Sequence, residues 1–188
     1  MTQKNIYVRL ARPEDIPALA SLIPESARTL QANYYTPEQI EGALGTVFGV
    51  DSQLIQDKTY FIAESASQVI GCGGWSKRKT LYGGDLGKKV EEDILLDPRF
   101  EPAKIRAFFV HPAFARKGIG SKIMRQCEVA AIEAGFKTIE IISTLAGEPL
   151  YRRFGYQISQ QFEISLPNKN VLPVIRMVKN FSETHSFD

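Results

Sequence analysis

The sequence has few cysteines and no long hydrophobic run. Its only two cysteines, Cys72 and Cys127, each lie in an apolar stretch, so we expect buried free thiols rather than a disulfide framework or a metal site. Free thiols are typical of a reducing compartment, which favours a cytoplasmic location. No apolar run approaches the ~18 residues that span a bilayer, and the N-terminus lacks the apolar core of a secretory signal. We therefore expect neither a membrane span nor secretion.

A strong excess of one charge is also lacking. Lysine and arginine number 23 against 21 acidic residues, and this net charge of +2 is too small to predict nucleic-acid binding. An apolar fraction of 44% is ordinary for a globular protein, and 188 residues suit one domain. We expect a single domain over residues 1–188, with a frayed tail at 180–188. The sequence leaves a homodimer open.

Hydrophobic periodicity predicts strands and helices in alternation. Strands are expected at 5–11, 60–64, 68–75, 105–110, 138–144, 157–165 and 174–179. A first helix includes Ile16, Leu19, Ala20 and Ile23 and should end or kink at Pro24. A second is capped by Thr36 and should reach about Phe48. Further helices are expected at 118–134 and 149–154. Residues 79–102 predict a long irregular connection, and Gly73 with its glycine neighbours indicates a bulge.

A glycine-containing loop precedes the helix expected at 118–134. Gly118 and Gly120 allow a tight turn and leave main-chain N–H groups unobstructed at the helix start, where anions bind. Two other phosphate loops are excluded. Ile123 occupies the third glycine position of the dinucleotide fingerprint, and the Gly-Lys-Ser/Thr ending of a nucleotide P-loop is absent.

Two motifs carry a resemblance to a known family. Residues 115–120 read Ala-Arg-Lys-Gly-Ile-Gly and resemble the coenzyme A loop of the GNAT superfamily of N-acetyltransferases, Gln/Arg-x-x-Gly-x-Gly/Ala, with Ala115 as a departure. Residues 150–156 are similar to the family's Tyr-x-x-x-Gly-Phe/Tyr ending. The resemblance covers about residues 68–156. It implies an α/β (α+β) GNAT fold, whose mixed, mostly antiparallel sheet is splayed between its fourth and fifth strands and flanked by helices.

The resemblance also implies a cofactor and an activity. The protein is expected to transfer an acetyl group from acetyl-CoA, without a metal, to a primary amine that attacks directly in a ternary complex. Tyr151 would be the general acid for the departing thiolate, and a main-chain N–H near Phe108 would stabilise the developing negative charge. Cofactor-binding residues would be Phe108, Phe109 and Val110 for pantetheine, and Arg116, Lys117, Gly118, Ile119, Gly120 and Ser121 for the pyrophosphate.

The sequence leaves the amine acceptor and the general base open. A small-molecule amine, an amino acid or antibiotic, and a protein N-terminus or lysine all fit. Lys104 and Arg106 are predicted to share a strand face with Phe108, and His111 is interpreted as a structural turn residue. The base could be water, Glu64, Glu140 or a loop carboxylate. Candidate acceptor contacts, each weighed against surface packing or a solvated charge, are Tyr34, Tyr35, Trp75, Arg78 and Arg106.

The sequence also allows a binding protein that is not an enzyme. A catalytically silent acyl-CoA-binding sensor or interaction module would share the loop and the fold. Ala115, and Lys104 at a strand position where some relatives carry a glutamate, keep this alternative open. The tyrosine at position 151 favours an enzyme.

Overall fold

In the part of the chain that the structure describes, seven strands form one sheet with helices on both faces. The computed structural model describes residues 5–87 and 94–181. The strands are β1 (Ile6–Leu10), β2 (Tyr60–Ser65), β3 (Gln68–Ser76), β4 (Ala103–Val110), β5 (Thr138–Thr144), β6 (Gln157–Ser165) and β7 (Val171–Asn180). The helices are α1 (Ile16–Leu30), α2 (Pro37–Ala43), α3 (Ser52–Gln56), α4 (Ile119–Glu133) and α5 (Glu148–Arg153). The strand order in the sheet is β1-β2-β3-β4-β5-β7-β6.

Every strand pair is antiparallel except β4 with β5. These two pair in parallel over only three positions, Ala103 with Ile139, Lys104 with Glu140, and Ile105 with Ile141. Beyond Ile105 and Ile141 the two strands separate, which opens the sheet toward their C-terminal ends. The predicted mixed sheet with a splay between its fourth and fifth strands is confirmed.

The sheet separates two hydrophobic cores. On one face, α4 packs through buried Ile119, Ile123 and Met124 against side chains such as Ile105 and Tyr151. On the other face, α1 packs through Leu19, Leu22 and Ile23 against side chains such as Phe48, Phe109 and Val174. The apolar residues of both helices recur at three- and four-residue spacing, which places them on one side of each helix.

The helix boundaries differ from the predicted ones at two places. The sequence predicts that α1 ends or kinks at Pro24; the helix does not end there but continues to Leu30. Ser26 and Ala27 beyond the proline are buried, and their packing offsets the lost main-chain hydrogen bond. α2 begins as predicted, with the Thr36 cap, but ends at Ala43 instead of about Phe48. Gly45 follows with a φ of +84°, a left-handed conformation that stops a helix.

A short helix, α3, follows α2 in the chain. The sequence did not predict α3, a short helix capped by the Asp51 side chain, which accepts a hydrogen bond from the main-chain N–H of Leu54. The expected frayed tail falls mostly on residues 182–188, which lie outside the described residues. Within 5–87 and 94–181, no helix has both the length and the apolar character needed to cross a bilayer.

Candidate active site

A cavity of about 70 Å³ occupies the splay between β4 and β5. Residues 105–109 of β4 and 141–144 of β5 line its walls, and Tyr151 of α5 closes one side. The walls include members of both hydrophobic cores, Phe108 and Tyr151 from the α4 face and Phe48 and Val174 from the α1 face. The cavity therefore crosses the sheet where the two strands part.

β4 carries a bulge beside this cavity. Cys72 of β3 pairs with Phe109, and Gly74 pairs with Arg106, so Ala107 and Phe108 together oppose Gly73. Ala107 has a φ of +55°, a left-handed conformation that strains a residue with a side chain. A Cβ on Gly73 would lie 2.6 Å from the Phe108 ring, so a glycine is needed there. The bulge that the glycines of β3 predicted is present, with its extra residue on β4.

The bulge turns the peptide group between Ala107 and Phe108 away from the regular hydrogen bonding between strands. The Ala107 carbonyl accepts a hydrogen bond from the buried Tyr60 hydroxyl at 3.1 Å and lies 3.7 Å from the Cys72 sulfur. In a trans peptide the carbonyl and the following N–H have opposite directions, so the Phe108 N–H is directed away from Tyr60. Ala107 and Phe108 both line the cavity.

The bulge also changes which residues share a face of β4. Ile105 and Phe108 belong to the α4 face, whereas Ala107 and Phe109 belong to the α1 face. Arg106 forms an ion pair with Asp51 on the α1 side. The prediction that Lys104 and Arg106 share a face with Phe108 is therefore wrong, because the extra residue reverses the alternation of side chains.

Tyr151 is buried in the α4 face of the splay. Its ring makes edge contacts with Phe108 and Tyr156, each with ring centroids 6.2 Å apart. Within the described residues its hydroxyl makes no hydrogen bond, although the residue is only 4% exposed. Burial raises the pKa of the phenol above its ordinary value, so the group stays protonated at neutral pH.

The predicted pyrophosphate loop forms the start of α4. Gly118 caps the helix with a φ of +78°, and a Cβ on it would meet no atom within 4 Å. Arg116 also has a positive φ, of 63°. Lys117 turns back on its own segment, where its ammonium donates to the Ala113 carbonyl at 2.9 Å and lies 5.1 Å from the Phe114 ring centroid. Gly118 consequently faces open space at the start of α4.

Other predicted cofactor residues fall on both sides of this loop. Ile119 is buried against β3, while Gly120 and Ser121 lie in the first turn of α4. The Val110 N–H already donates to the Ser26 hydroxyl at 3.2 Å. His111 accepts a hydrogen bond from the Ala113 N–H at 3.2 Å, in agreement with its interpretation as a turn residue.

Of the five candidate acceptor contacts, only Arg106 lines the cavity. Its guanidinium lies 2.9 Å from the buried Asp51 carboxylate and also donates to the Gly83 carbonyl. Arg78 pairs with Asp57 at 2.7 Å, and Trp75 packs in the α4 core with its ring centroid 5.9 Å from that of Phe136.

The two tyrosines after α1 differ from each other. Tyr34 is 49% exposed, whereas Tyr35 is buried. The Tyr35 hydroxyl donates to the Pro173 carbonyl at 2.7 Å and accepts from the Leu145 N–H at 2.9 Å. Tyr35 therefore connects β7 to the segment after β5.

Glu140 and Glu64, the two glutamates named as possible general bases, lie outside the cavity wall. Glu140 pairs with the buried Lys104 at the closed end of the splay, and its other oxygen lies 3.6 Å from Arg176. Glu64 pairs with Arg9 at 2.9 Å on the outer strands. Among the described residues, the cavity walls contain no aspartate or glutamate.

Several wall residues had no signal in the sequence. Gln31 follows the last residue of α1, Phe48 lies in an irregular segment, and Ser143 lies on β5. Each is an ordinary residue type for its local structure, and only the chain fold brings them together. Tyr82 belongs to the connection that the sequence marked only as long and irregular.

The fold and the candidate site combine a splayed mixed sheet, a bulged fourth strand, a buried tyrosine and a glycine-capped helix. Residues 56–158 match the model of the acetyltransferase (GNAT) domain family. Because this match covers more than half of the chain, the protein belongs to the GNAT acetyltransferase family and is an acyltransferase. No curated protein sequence matches the chain significantly.

Solved structures share the fold at low sequence identity. A GCN5-related N-acetyltransferase from Rhodopseudomonas palustris is 19% identical, with a TM-score of 0.70 over 96% of this chain and 98% of its own. yncA from Salmonella typhimurium, solved with its cofactor acetyl-CoA, is 15% identical with a TM-score of 0.64 over 98% of both chains. The paiA N-acetyltransferase from Thermoplasma acidophilum, in complex with coenzyme A, is 15% identical with a TM-score of 0.61 over 94% of this chain and 99% of its own.

Proposed function

We propose that the protein is an N-acetyltransferase that moves the acetyl group of acetyl-CoA to a primary amine of a small molecule or peptide, by direct attack in a ternary complex. The observation that carries the proposal is the Tyr151 hydroxyl, which lines the splay and makes no hydrogen bond within the described residues. The coenzyme A species in the yncA and paiA structures support the choice of cofactor. A cytoplasmic location is part of the proposal, supported by the two buried free thiols.

The residues at the start of α4 fit the pyrophosphate of acetyl-CoA. Gly118 has open space before it, and the N–H groups of the first turn of this 15-residue helix point toward that space. Arg116 and Lys117, both exposed, would add positive charge at the rim. The main chain of Phe108, Phe109 and Val110 would hold the pantetheine arm along the open edge of β4.

Two groups on the cavity wall fit the chemistry. Bound acetyl-CoA supplies an activated acetyl group, so that a carbon–nitrogen bond forms to the amine as the carbon–sulfur bond breaks. The Phe108 N–H, turned away from Tyr60 by the bulge, would donate to the acetyl oxygen as negative charge develops. Tyr151 would give its proton to the departing sulfur, since its raised pKa keeps it protonated.

A proton must also leave the attacking amine. Glu140 and Glu64 are paired with cations outside the cavity, and no carboxylate lines the described walls. We therefore assign this proton to water that enters with the amine. The rate should rise with pH as more of the acceptor is present as free amine.

The test is coenzyme A thiol release from acetyl-CoA over a panel of primary amines, with acetyl-CoA binding measured in parallel. Tyr151→Phe should lower kcat by about 100-fold while acetyl-CoA still binds, because general acid catalysis contributes on that order. Its folding stability should change little, since within the described residues the hydroxyl has no hydrogen bond to lose. Tyr7→Phe, at an exposed tyrosine on β1, is the matched control and should keep full activity.

Each result separates two interpretations. Amine-dependent release that collapses in Tyr151→Phe supports an acetyltransferase with this tyrosine as acid. Binding of acetyl-CoA without release from any amine would favour the sensor or interaction module. Failure to bind acetyl-CoA at all would overturn the proposal.

A further inference from the structure

The cavity reaches both faces of the sheet, and the two faces offer different chemistry. The proposed coenzyme A loop and Tyr151 lie on the α4 face. The opposite end of the cavity is lined from the α1 face by Gln31, Phe48 and Val174. If the cofactor enters from the α4 face, the acceptor must approach from the α1 face. We call this second end the acceptor end, formed by Gln31, Val47, Phe48, Phe109, Ile164 and Val174.

Gln31 is the unusual residue of the acceptor end. Its main chain is fixed at the end of α1, where its N–H donates to Ala27 and its carbonyl accepts from Tyr34 and Tyr35. Its side chain is buried, with the residue only 8% exposed, and within the described residues its Oε1 atom accepts no hydrogen bond. A buried acceptor without a donor destabilises a fold. A ligand that donates there would remove this penalty.

The charge of the cavity wall limits what that ligand can be. Among the described wall residues, Arg106 is the one formally charged side chain, and Asp51 lies 2.9 Å from its guanidinium. A second ammonium on the acceptor would meet no carboxylate among the described wall residues, and an acceptor carboxylate would meet an arginine that is already paired. The other members of the acceptor end are apolar, including the edge-on pair Phe48 and Phe109, whose centroids are 5.9 Å apart.

We propose that the acceptor is a primary amine on an otherwise uncharged, apolar body, and that its N–H donates to the Gln31 side-chain oxygen. This inference rests on the proposed function and names the substrate class of the same site. Gln31 positions the nitrogen at the end of an apolar wall, while Phe48 and Phe109 pack against the body. Gln31 is a substrate-binding residue and takes no proton in the reaction.

Two matched pairs of amines test the substrate class. 2-Phenylethylamine and phenylalanine differ by one carboxylate, and hexylamine and 1,6-diaminohexane differ by one ammonium. For each pair, kcat/KM should be at least about tenfold higher for the amine with the uncharged body. The extra charge of the other member would be buried against described wall residues that offer it no available opposite charge. Equal values, or faster turnover of the doubly charged member, would overturn the proposal.

The role of Gln31 is tested with Gln31→Leu. This variant should raise KM for 2-phenylethylamine about tenfold, because the amine loses its acceptor, and leave KM for acetyl-CoA unchanged. Its melting temperature should stay equal or rise, because an unpaired buried oxygen is removed. Gln126→Leu, at an exposed glutamine on α4, is the matched control and should change neither KM.

The outcomes separate this inference from the proposed function. If no amine supports thiol release, the proposed function fails and the inference fails with it. If release occurs only with peptides or polyamines, the proposed function stands and the inference is wrong. A Gln31→Leu protein that melts earlier and loses kcat with both KM values unchanged would show a purely structural glutamine.

Discussion

The Tyr60 hydroxyl and the Ala107 carbonyl form a 3.1 Å hydrogen bond that reaches from β2 across β3 to the bulge of β4. Tyr60 is fully buried, and its position is fixed by the α1 core around it. Because Ala107 is held in a left-handed conformation, this bond helps to stabilise a strained peptide group. The direction of the Phe108 N–H therefore depends on a tyrosine two strands away.

Removing that hydroxyl should impair catalysis more than folding. We expect Tyr60→Phe to lower kcat about tenfold and to cost about 1 kcal/mol of unfolding free energy, the usual value of one hydrogen bond. Steady-state kinetics and urea unfolding measure the two effects. Tyr35→Phe is the matched control: its hydroxyl is also buried and bonded, but it lies outside the cavity. It should lose stability with no change in kcat, and equal kinetic losses in both variants would contradict the role of Tyr60.

The close approach of Gly73 and Phe108 gives a second prediction. A Cβ at position 73 would lie 2.6 Å from the Phe108 ring, so Gly73→Ala must displace that ring or the bulge beneath it. We expect kcat to fall by about tenfold, with a destabilisation of about 1–3 kcal/mol from overpacking. Thiol release and thermal unfolding are the measurements. Gly73→Ala with wild-type kcat would show that the ring position does not matter for the reaction.

The loop glycine should behave differently. Gly118 has open space around its Cα, but its φ of +78° is unfavourable for alanine by about 1 kcal/mol. Gly118→Ala should therefore raise KM for acetyl-CoA severalfold and leave kcat near its wild-type value. Titration of acetyl-CoA at saturating amine separates the two constants. A fall in kcat at unchanged KM would place the glycine outside the cofactor site.

The main outline of the site could be predicted from the sequence because its signals are local. Glycines at 118 and 120 have a direct conformational meaning, and the tyrosine motif has a fixed spacing, so the sequence alone could nominate Tyr151 and the start of α4 as candidates. The bulge residue itself could not be found, since Ala107 is not a residue type that favours a positive φ. The reversed side-chain alternation after Arg106 followed from that single residue.

Contacts between residues distant in sequence determine where the other candidate residues lie. Trp75, Arg78 and Tyr35 were predicted as acceptor contacts by residue type, and each contacts a partner distant in sequence, namely Phe136, Asp57 and Pro173. In the sequence, nothing distinguishes Gln31 from any other glutamine at the end of a helix. Its significance comes from burial beside an apolar wall, which depends on how α1 packs on the sheet.

The buried thiols give a pH-dependent prediction. Burial raises the pKa of Cys72 to about 12, from an ordinary value of 9.0. Above pH 9 the unfolded chain loses this proton while the folded chain keeps it, so stability falls as pH rises toward 12, by about 1.4 kcal/mol per pH unit. Urea unfolding at pH 8 and pH 10 measures the slope. Cys72→Ala should show a smaller loss between the two values, and an unchanged loss would contradict the assignment to this thiol.

The ion pair between Arg106 and Asp51 gives the last prediction, and it separates a structural arginine from a substrate-binding one. Both side chains are almost completely buried, so Arg106→Met would leave the Asp51 charge without this partner at a cost of about 3–5 kcal/mol. Asp51→Asn keeps an oxygen for the cap of α3 and removes the carboxylate charge. The double variant should therefore be more stable than Arg106→Met alone, by at least about 1 kcal/mol in a double-mutant cycle of unfolding free energies. The opposite outcome has two parts: the two stability costs are additive, and KM for the amine rises only when Arg106 is absent. In that case the guanidinium binds the acceptor, and the inference that the acceptor has an uncharged body is wrong.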